Sequence, residues 1–175
     1  MRSLFAAIAA IMFTVPVYAE TKIALTGENT KISFVGTKPG GKHEGGFKKL
    51  AGAAVIDSEV LKKLEVIIET DSIYSDNEKL TAHLKAPDFF GVKDNPKAKF
   101  ASTKIEKTEK GVSITGDMTI NGKTKHITIP ATVVAKDGSL KITSTFFIDK
   151  RDYGMTYGGG KIDDQVTIQV AVDAK

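Results

Sequence analysis

Apolar and polar side chains alternate along most of the chain beyond residue 30, with a period of two residues. Between residues 112 and 120, apolar side chains occupy the even positions 112, 114, 118 and 120, while Ser, Thr and Asp occupy the odd ones. After Asn121-Gly122 the alternation resumes, now with apolar residues at the odd positions 127 to 133. An Asn-Gly pair between two alternating segments is a strong hairpin signal. The pattern therefore predicts antiparallel strands that each have one apolar face.

The same alternation predicts eight strands, several of them about twice the ~5 to 6 residues of an average strand. They cover residues 31–36, 47–57, 64–70, 98–106, 112–120, 125–135, 140–148 and 162–173. One apolar face per strand indicates one shared interior, and a large antiparallel sheet satisfies its edges best by closing. We therefore predict an all-β fold, an eight-stranded antiparallel barrel, with a two-sheet sandwich as the alternative. Pro130 cannot donate to a strand ladder, so it predicts a bulge or a gap.

The connections between the predicted strands differ in length. Three are long, at residues 38–45, 71–96 and 150–161, and three are short turns near 58–62, 107–110 and 136–138. If the strands run up and down in chain order, all the long connections lie at one end of the barrel. Binding groups are commonly carried by loops on a rigid scaffold, so this end is the predicted mouth of a binding site.

The third connection has the period of a helix. Ser75-x-x-Glu78 resembles a capping box, and Leu80 and Leu84 fall on one helical face. Residues 87–91 fit a second helical turn, since Pro87 begins the segment and Gly91 ends it. We therefore expect a short helical insertion between the third and fourth predicted strands.

The first nineteen residues have the pattern of a secretory signal peptide. Arg2 supplies the positive start, residues 4–15 are almost entirely apolar, and Val17-Tyr18-Ala19 ends in small-residue cleavage chemistry. Cleavage is expected after Ala19, which leaves residues 20–175 as one domain in the periplasm or secreted. The alternative is an uncleaved anchor, although this run is shorter than the ~20 apolar residues of a spanning helix.

Composition excludes several kinds of chemistry. The chain has no cysteine, so it has no disulfide, thiol nucleophile or thiolate metal site. Its net charge of +4 is small, and its Lys residues alternate with Asp and Glu. Such dispersion is typical of a solvated surface and argues against nucleic-acid binding, while a weak, transient attraction to anionic membrane head groups stays open.

The predicted interior is apolar and lacks the largest side chain, since the chain has no Trp and its inward positions include many Val, Ala, Gly and Thr. A barrel of about eight strands can be filled by its own side chains or can hold one small ligand. Small inward residues favour the second case, and an apolar lining suits a hydrocarbon chain. A solidly packed barrel that binds protein on its outer face remains the alternative.

Polar residues of the predicted mouth are candidates for contacts with a ligand head group. Arg151 can bind a phosphate or carboxylate, and His43 or Tyr153 can hydrogen-bond a carbonyl or hydroxyl group. Each has an alternative: Arg151 can pair with a neighbouring aspartate, and His43 can be an ordinary exposed loop residue. Phe89 and Phe90 can contact a ligand or close the end of the core.

Several motifs together resemble those of the YceI-like family of exported lipid-binding proteins, over nearly all of residues 20–175. They are Gly45-Gly46-Phe47 with Gly52, LKAPDFF at 84–90, PKAKF at 96–100, GDMTING at 116–122 followed by residues 125–130, and DKRDYGM at 149–155. Segment 38–44 is longer here than the form associated with many members.

The resemblance implies a lipocalin-like barrel whose pore takes polyisoprenoid chains such as quinones or isoprenyl phosphates, or, in some relatives, fatty acids or amides. It also implies a periplasmic or secreted location, a homodimer, and no catalysis or cofactor. The ligand-binding candidates are Phe47, Phe89, Phe90, Phe100, Phe146 and Met155 from the matching segments, together with His43, Arg151 and Tyr153.

A hydrolase or isomerase at the mouth is the rival function. His43 near Glu44, or His83 near Asp88, can form an acid-base pair. The chain has no serine elbow, no HExxH motif and no paired-His metal spacing, so we predict a binding protein rather than an enzyme.

Overall fold

The computed structural model describes residues 20–175, and the predicted signal peptide and its cleavage after Ala19 lie outside this range. Eleven strands and one α-helix make up the fold. The strands are β1 (Thr21–Thr26), β2 (Thr30–Lys38), β3 (Gly41–Phe47), β4 (Leu50–Asp57), β5 (Val60–Glu69), β6 (Ile73–Ser75), β7 (Lys97–Thr108), β8 (Gly111–Ile120), β9 (Lys123–Lys136), β10 (Ser139–Asp149) and β11 (Gln165–Ala174). The helix is α1 (Glu78–Leu84), and two 3-10 turns cover Thr70–Ser72 and Lys150–Tyr153.

All eleven strands belong to one antiparallel sheet, in the order β1-β4-β5-β7-β8-β9-β10-β11-β2-β3-β6. Strands β3 and β4 lie near opposite ends of this order, yet only Lys48 and Lys49 separate them in the chain. The sheet must therefore curl strongly, but no β1–β6 ladder closes it among residues 20–175, so the predicted closed barrel is wrong. The result is a lipocalin-like half-barrel, which confirms the all-β class and the curled antiparallel sheet.

The predicted number of eight strands is wrong, because three strands were not recognised. Strand β1 precedes the first predicted strand and pairs with β4 along the edge of the sheet. Strand β3 occupies most of the segment 38–45 that we predicted to be a long loop, since GKHEGGF has almost no apolar alternation. Its Gly45 and Gly46 are instead required by packing: a Cβ on Gly45 would lie 2.2 Å from the backbone oxygen of Tyr74 on β6.

The helical insertion differs in position and extent from the prediction. Helix α1 lies between the sixth and seventh strands and covers only Glu78–Leu84. Its N-cap is Asn77, whose side-chain oxygen accepts a hydrogen bond from the backbone N–H of Leu80, while Ser75 ends β6. Residues 87–91 form turns rather than a second helix. Gly91 has a φ of +51°, a left-handed conformation that ends helical geometry.

Strands β9 and β10 part near Pro130. Their pairing runs from Lys136 with Ser139 to Thr132 with Thr143 and continues no further, although β9 remains paired with β8 through Pro130. The Ser144 hydroxyl spans the start of the gap by donating to the Pro130 carbonyl oxygen at 2.5 Å. The prediction of a bulge or gap at Pro130 is thus confirmed: the gap lies between β9 and β10.

Four connections meet at one end of the sheet. They are the long connections 71–96 and 150–161 and the short β8–β9 and β2–β3 turns. The Asn95 side chain donates to the Asn121 side-chain oxygen, and Asn121 donates to the Tyr153 carbonyl oxygen at 3.1 Å. On the other side, the Asp163 backbone N–H donates to the carbonyl oxygen of Thr37 near the β2–β3 turn. Four connections are therefore joined by hydrogen bonds, and they form the mouth of the half-barrel.

Gly52 of β4 is a position where the sheet leaves no room for a side chain. A Cβ there would lie 2.2 Å from the carbonyl oxygen of Glu65 on β5. We expect Gly52→Ala to lower the free energy of unfolding by roughly 1 to 3 kcal/mol, the usual range for overpacking. Chemical denaturation measures this change. Gly36→Ala on β2 is the matched control because nothing lies within 4 Å of its added Cβ; equal losses in both variants would contradict the packing argument.

Candidate ligand-binding cavity

The inward face of the curled sheet surrounds a cavity of about 240 Å³. This volume far exceeds the ~10 to 15 Å³ that one water molecule needs. Its walls are side chains from β2, β5, β7, β8, β9, β10 and β11, almost all of them apolar. The interior is therefore hollow, and Gly36, Ala98, Ala131 and Ser144 are the smallest residues of its lining.

Aromatic rings surround the part of the cavity that lies nearest the mouth. Phe34 of β2 and Phe47 of β3 lie 6.2 Å apart between ring centres, and Phe47 meets Phe90 edge to face at 5.7 Å. Further out, Phe89 and His83 lie in a T-shaped contact at 5.0 Å, and Tyr157 contacts both. These contacts join the β2–β3 hairpin to the 71–96 connection and that connection to the segment after β10.

Eight of the nine predicted ligand-binding residues line the cavity. They are Phe47, Phe89, Phe90, Phe100, Phe146, Met155, His43 and Tyr153. Arg151 does not: its side chain is 59% exposed on the outside of the mouth. The binding role of the eight remains a prediction.

The geometry of the 3-10 turn Lys150–Tyr153 explains the position of Arg151. Side chains at i and i+3 of a 3-10 helix lie on the same side. Lys150 and Tyr153 therefore both face inward and are buried, at 5% and 1% exposure, while Arg151 and Asp152 between them are exposed. The residue of this segment that brings a positive charge to the cavity is thus Lys150.

Ion pairs hold Arg151 against the outside of the turn. Its Nε donates to Asp149 Oδ1 at 3.0 Å and its Nη2 to Asp149 Oδ2 at 2.6 Å, and its Nη1 lies 3.0 Å from Asp164 Oδ2. The Arg151 side chain, followed by its backbone N–H, lowers the pKa of the Asp149 carboxyl from 3.8 to about 2. Arg151 is therefore occupied by aspartates, which was the alternative to a ligand-binding role.

Lys150 is the one buried charged residue among residues 20–175. Its ammonium group forms an ion pair with the Asp164 carboxylate, and its backbone N–H donates to the Asp164 carbonyl oxygen at 2.9 Å. Tyr153 lies one 3-10 turn further on, and burial is the main cause that raises its phenol pKa to about 12. The phenol is accordingly neutral and carries its proton at pH 7.

The candidate acid-base pairs lie near the mouth. His43 bonds to Asp76 at 2.9 Å rather than to the predicted Glu44, which instead pairs with Lys42. The hydrogen bond from His43 is the main cause that lowers the Asp76 pKa. His83 bonds to Asp88 at 2.8 Å, as predicted, and its side chain is 35% exposed. Within residues 20–175, no cluster of three or more His, Cys, Asp or Glu residues is placed to hold a metal ion.

The sequence analysis did not identify five residues that form the wall of the cavity. Phe34, Val66, Ile114, Ile129 and Ile142 line it from five different strands. Their signal was present in the phase of the alternation, since each lies on the apolar face of its strand. Without the register between strands, that phase could not indicate which inward residues pack together and which face the open space.

The fold and the site together define a small lipocalin-like protein with an apolar cavity that opens among loops. The family model for the YceI-like domain matches residues 24–174. This chain therefore belongs to the YceI-like family, as its motifs predicted.

Known relatives agree with this assignment. A UPF0312 protein of Enterobacter sp. (strain 638) is 27% identical, with the alignment covering 98% of this chain and 95% of the relative. Among solved structures, BcnA of Burkholderia cenocepacia has a TM-score of 0.76 at 23% identity, covering 83% of this chain and 96% of BcnA. A polyisoprenoid binding domain from Saccharophagus degradans has a TM-score of 0.70 at 12% identity, covering 90% and 99%. At these identities the two structures show a shared fold.

The Asp149–Arg151 contact predicts an acid-sensitive step in stability. Because the folded-state pKa of Asp149 lies below its unfolded value, its ionised form stabilises the fold above about pH 4, and this contribution is lost as the pH falls toward 2. Asp149→Asn should therefore flatten the fall in melting temperature between pH 5 and pH 2. Asp173→Asn is the control, since its ion pair with Lys141 is largely exposed. Identical profiles for wild type and Asp149→Asn would contradict this role.

Proposed function

We propose that this protein binds one long-chain apolar molecule, an isoprenoid in the first instance, inside the half-barrel and does not catalyse a reaction. The observation that carries the proposal is the open apolar cavity of about 240 Å³. This chain belongs to the YceI-like family, and one of its structural neighbours is a polyisoprenoid binding domain. Both findings support the same ligand class.

The chemistry of the lining supports an apolar occupant. The walls of the cavity are almost entirely apolar, and the cavity opens among the loops of the mouth. Burial of apolar surface contributes about 25 cal/mol per Å². A hydrocarbon chain inside the cavity therefore removes both its own surface and that of the lining from water.

The energetics of a hydrocarbon ligand fit a carrier. Each buried CH₂ group contributes about 0.8 kcal/mol relative to water, but almost nothing relative to a lipid membrane. The cavity therefore protects an oily chain from water while allowing its exchange with a membrane. Within residues 20–175 no helix is long and apolar enough to span a membrane.

We further propose that the protein is exported to the periplasm or secreted after cleavage behind Ala19. The supporting observation is the charged, apolar and small-residue order of residues 1–19. A carrier in that location can move an apolar molecule across an aqueous space.

The test of binding is a cavity-filling variant. Purified wild-type protein should carry a stoichiometric lipid in native mass spectrometry, or take up an isoprenoid quinone when offered one. Ala131 is buried and lines the cavity, so Ala131→Phe should lower the bound fraction at least about tenfold while keeping the fold, since a phenyl ring can bury up to ~250 Å² of its own surface there.

Val134→Phe is the matched control, because Val134 lies on the outer face of the same strand and is 54% exposed. It should bind lipid like the wild type. Wild-type protein that is purified without lipid and also fails to take up the quinone contradicts the proposal. A correctly folded Ala131→Phe variant that binds lipid as fully as the wild type contradicts it as well.

A further inference from the structure

The inner end of the mouth carries two hydrogen-bond donors at the edge of an otherwise apolar cavity. Lys150 and Tyr153 both line the cavity and are buried, on one side of the 3-10 turn. The Lys150 ammonium has three N–H groups, and within residues 20–175 only Asp164 accepts one of them. The hydrogen bonds within that range include none to the Tyr153 hydroxyl, and since no fully buried side-chain polar atom there lacks a partner, this hydroxyl is accessible from the cavity that Tyr153 lines. Donors are therefore available where the polar end of a ligand meets the protein.

The charges around these donors are already balanced. Asp164 pairs with Lys150 and also lies 3.0 Å from the Arg151 guanidinium, which itself binds both carboxylate oxygens of Asp149. Two cations thus face two carboxylates. A third carboxylate, Asp163, lines the cavity as well and accepts a hydrogen bond from Thr37 at 2.5 Å.

Other cationic groups do not change this balance at the buried position. His43 bonds to Asp76, and Lys42 pairs with Glu44. Lys38 and Lys99 also border the cavity, but both are exposed, so water and salt screen their charges. A phosphate carries about −1.5 to −2 charges at pH 7 and would meet an excess of carboxylates at Lys150.

We infer that the cavity selects lipids with a neutral head group bearing carbonyl oxygens, such as an isoprenoid quinone or an amide, over isoprenyl phosphates, with Lys150 and Tyr153 as the donors to the carbonyl. This inference rests on the proposed function and specifies its ligand. A neutral carbonyl accepts both donors without adding charge, and burial strengthens such hydrogen bonds. Because both donors lie at the mouth and the rest of the lining is almost entirely apolar, the head group also fixes the direction in which the chain enters.

The test compares three probes with the purified full chain: an isoprenoid benzoquinone, the polyprenyl monophosphate of equal tail length, and squalene, which has no head group. Wild-type protein should bind the quinone at least about tenfold more tightly than the phosphate, the factor that corresponds to one hydrogen bond from a charged donor. Lys150→Met should remove most of the preference for the quinone over squalene. Squalene affinity should stay within about twofold of wild type.

Two further variants keep the inference testable if Lys150→Met does not fold. Tyr153→Phe should weaken the quinone alone. Asp164→Asn removes the carboxylate that neutralises Lys150, so it should raise affinity for the phosphate and leave squalene unchanged. Lys141→Met is the matched control, since Lys141 forms an exposed ion pair with Asp173 far from the mouth, and all three affinities should be those of the wild type.

The outcomes separate the two proposals. Wild-type protein that binds squalene but prefers the phosphate, or a folded Lys150→Met variant that keeps full quinone preference, overturns the head-group assignment and leaves lipid binding intact. Wild-type protein that binds none of the three probes overturns the proposed function and the head-group assignment with it.

Discussion

The continuity of β3 and β4 through Lys48 and Lys49 is the constraint on which the rest of the structure depends. These two strands pair with neighbours at opposite ends of the sheet order, so the sheet cannot lie flat. Curling turns one face of nearly every strand toward a common interior, and it brings four connections to one end. On either side of this corner, β3 and β4 contain Gly45, Gly46 and Gly52, where an added Cβ would meet backbone oxygens of the neighbouring strands β6, β2 and β5.

The side chains that line the interior then decide between a packed core and a hollow one. Leu25 and Leu140 are almost completely buried, do not line the cavity and supply a conventional core. Other inward residues, among them Ile114 and Ile142, surround the open space, which aromatic rings from β2, β3 and the 71–96 connection border. Core packing and binding capacity thus depend on different inward residues of the same sheet.

The sequence predicted those parts of the molecule that depend on local pattern. Alternation located most strands, the motifs identified the family, and Pro130 marked the point where β9 and β10 part. The errors came from tertiary contacts. Gly41–Phe47 looks like a loop because its glycines are explained only by the rings and carbonyl groups that pack on them, and Asn77 replaced Ser75 as the helix cap. Arg151 was the natural choice to bind a head group, but the three-residue period of its turn directs Lys150 inward instead.

The pairing of β2 with β11 has a consequence for how the chain reaches this fold. Thr30 to Gly36 must align with Val166 to Val172, and these segments are separated by well over a hundred residues. Contacts of such long range make folding slow and place its completion after the final strand becomes available. The nascent polypeptide consequently cannot complete its sheet until β11 has left the ribosome, an interval during which chaperones can engage the unpaired strands.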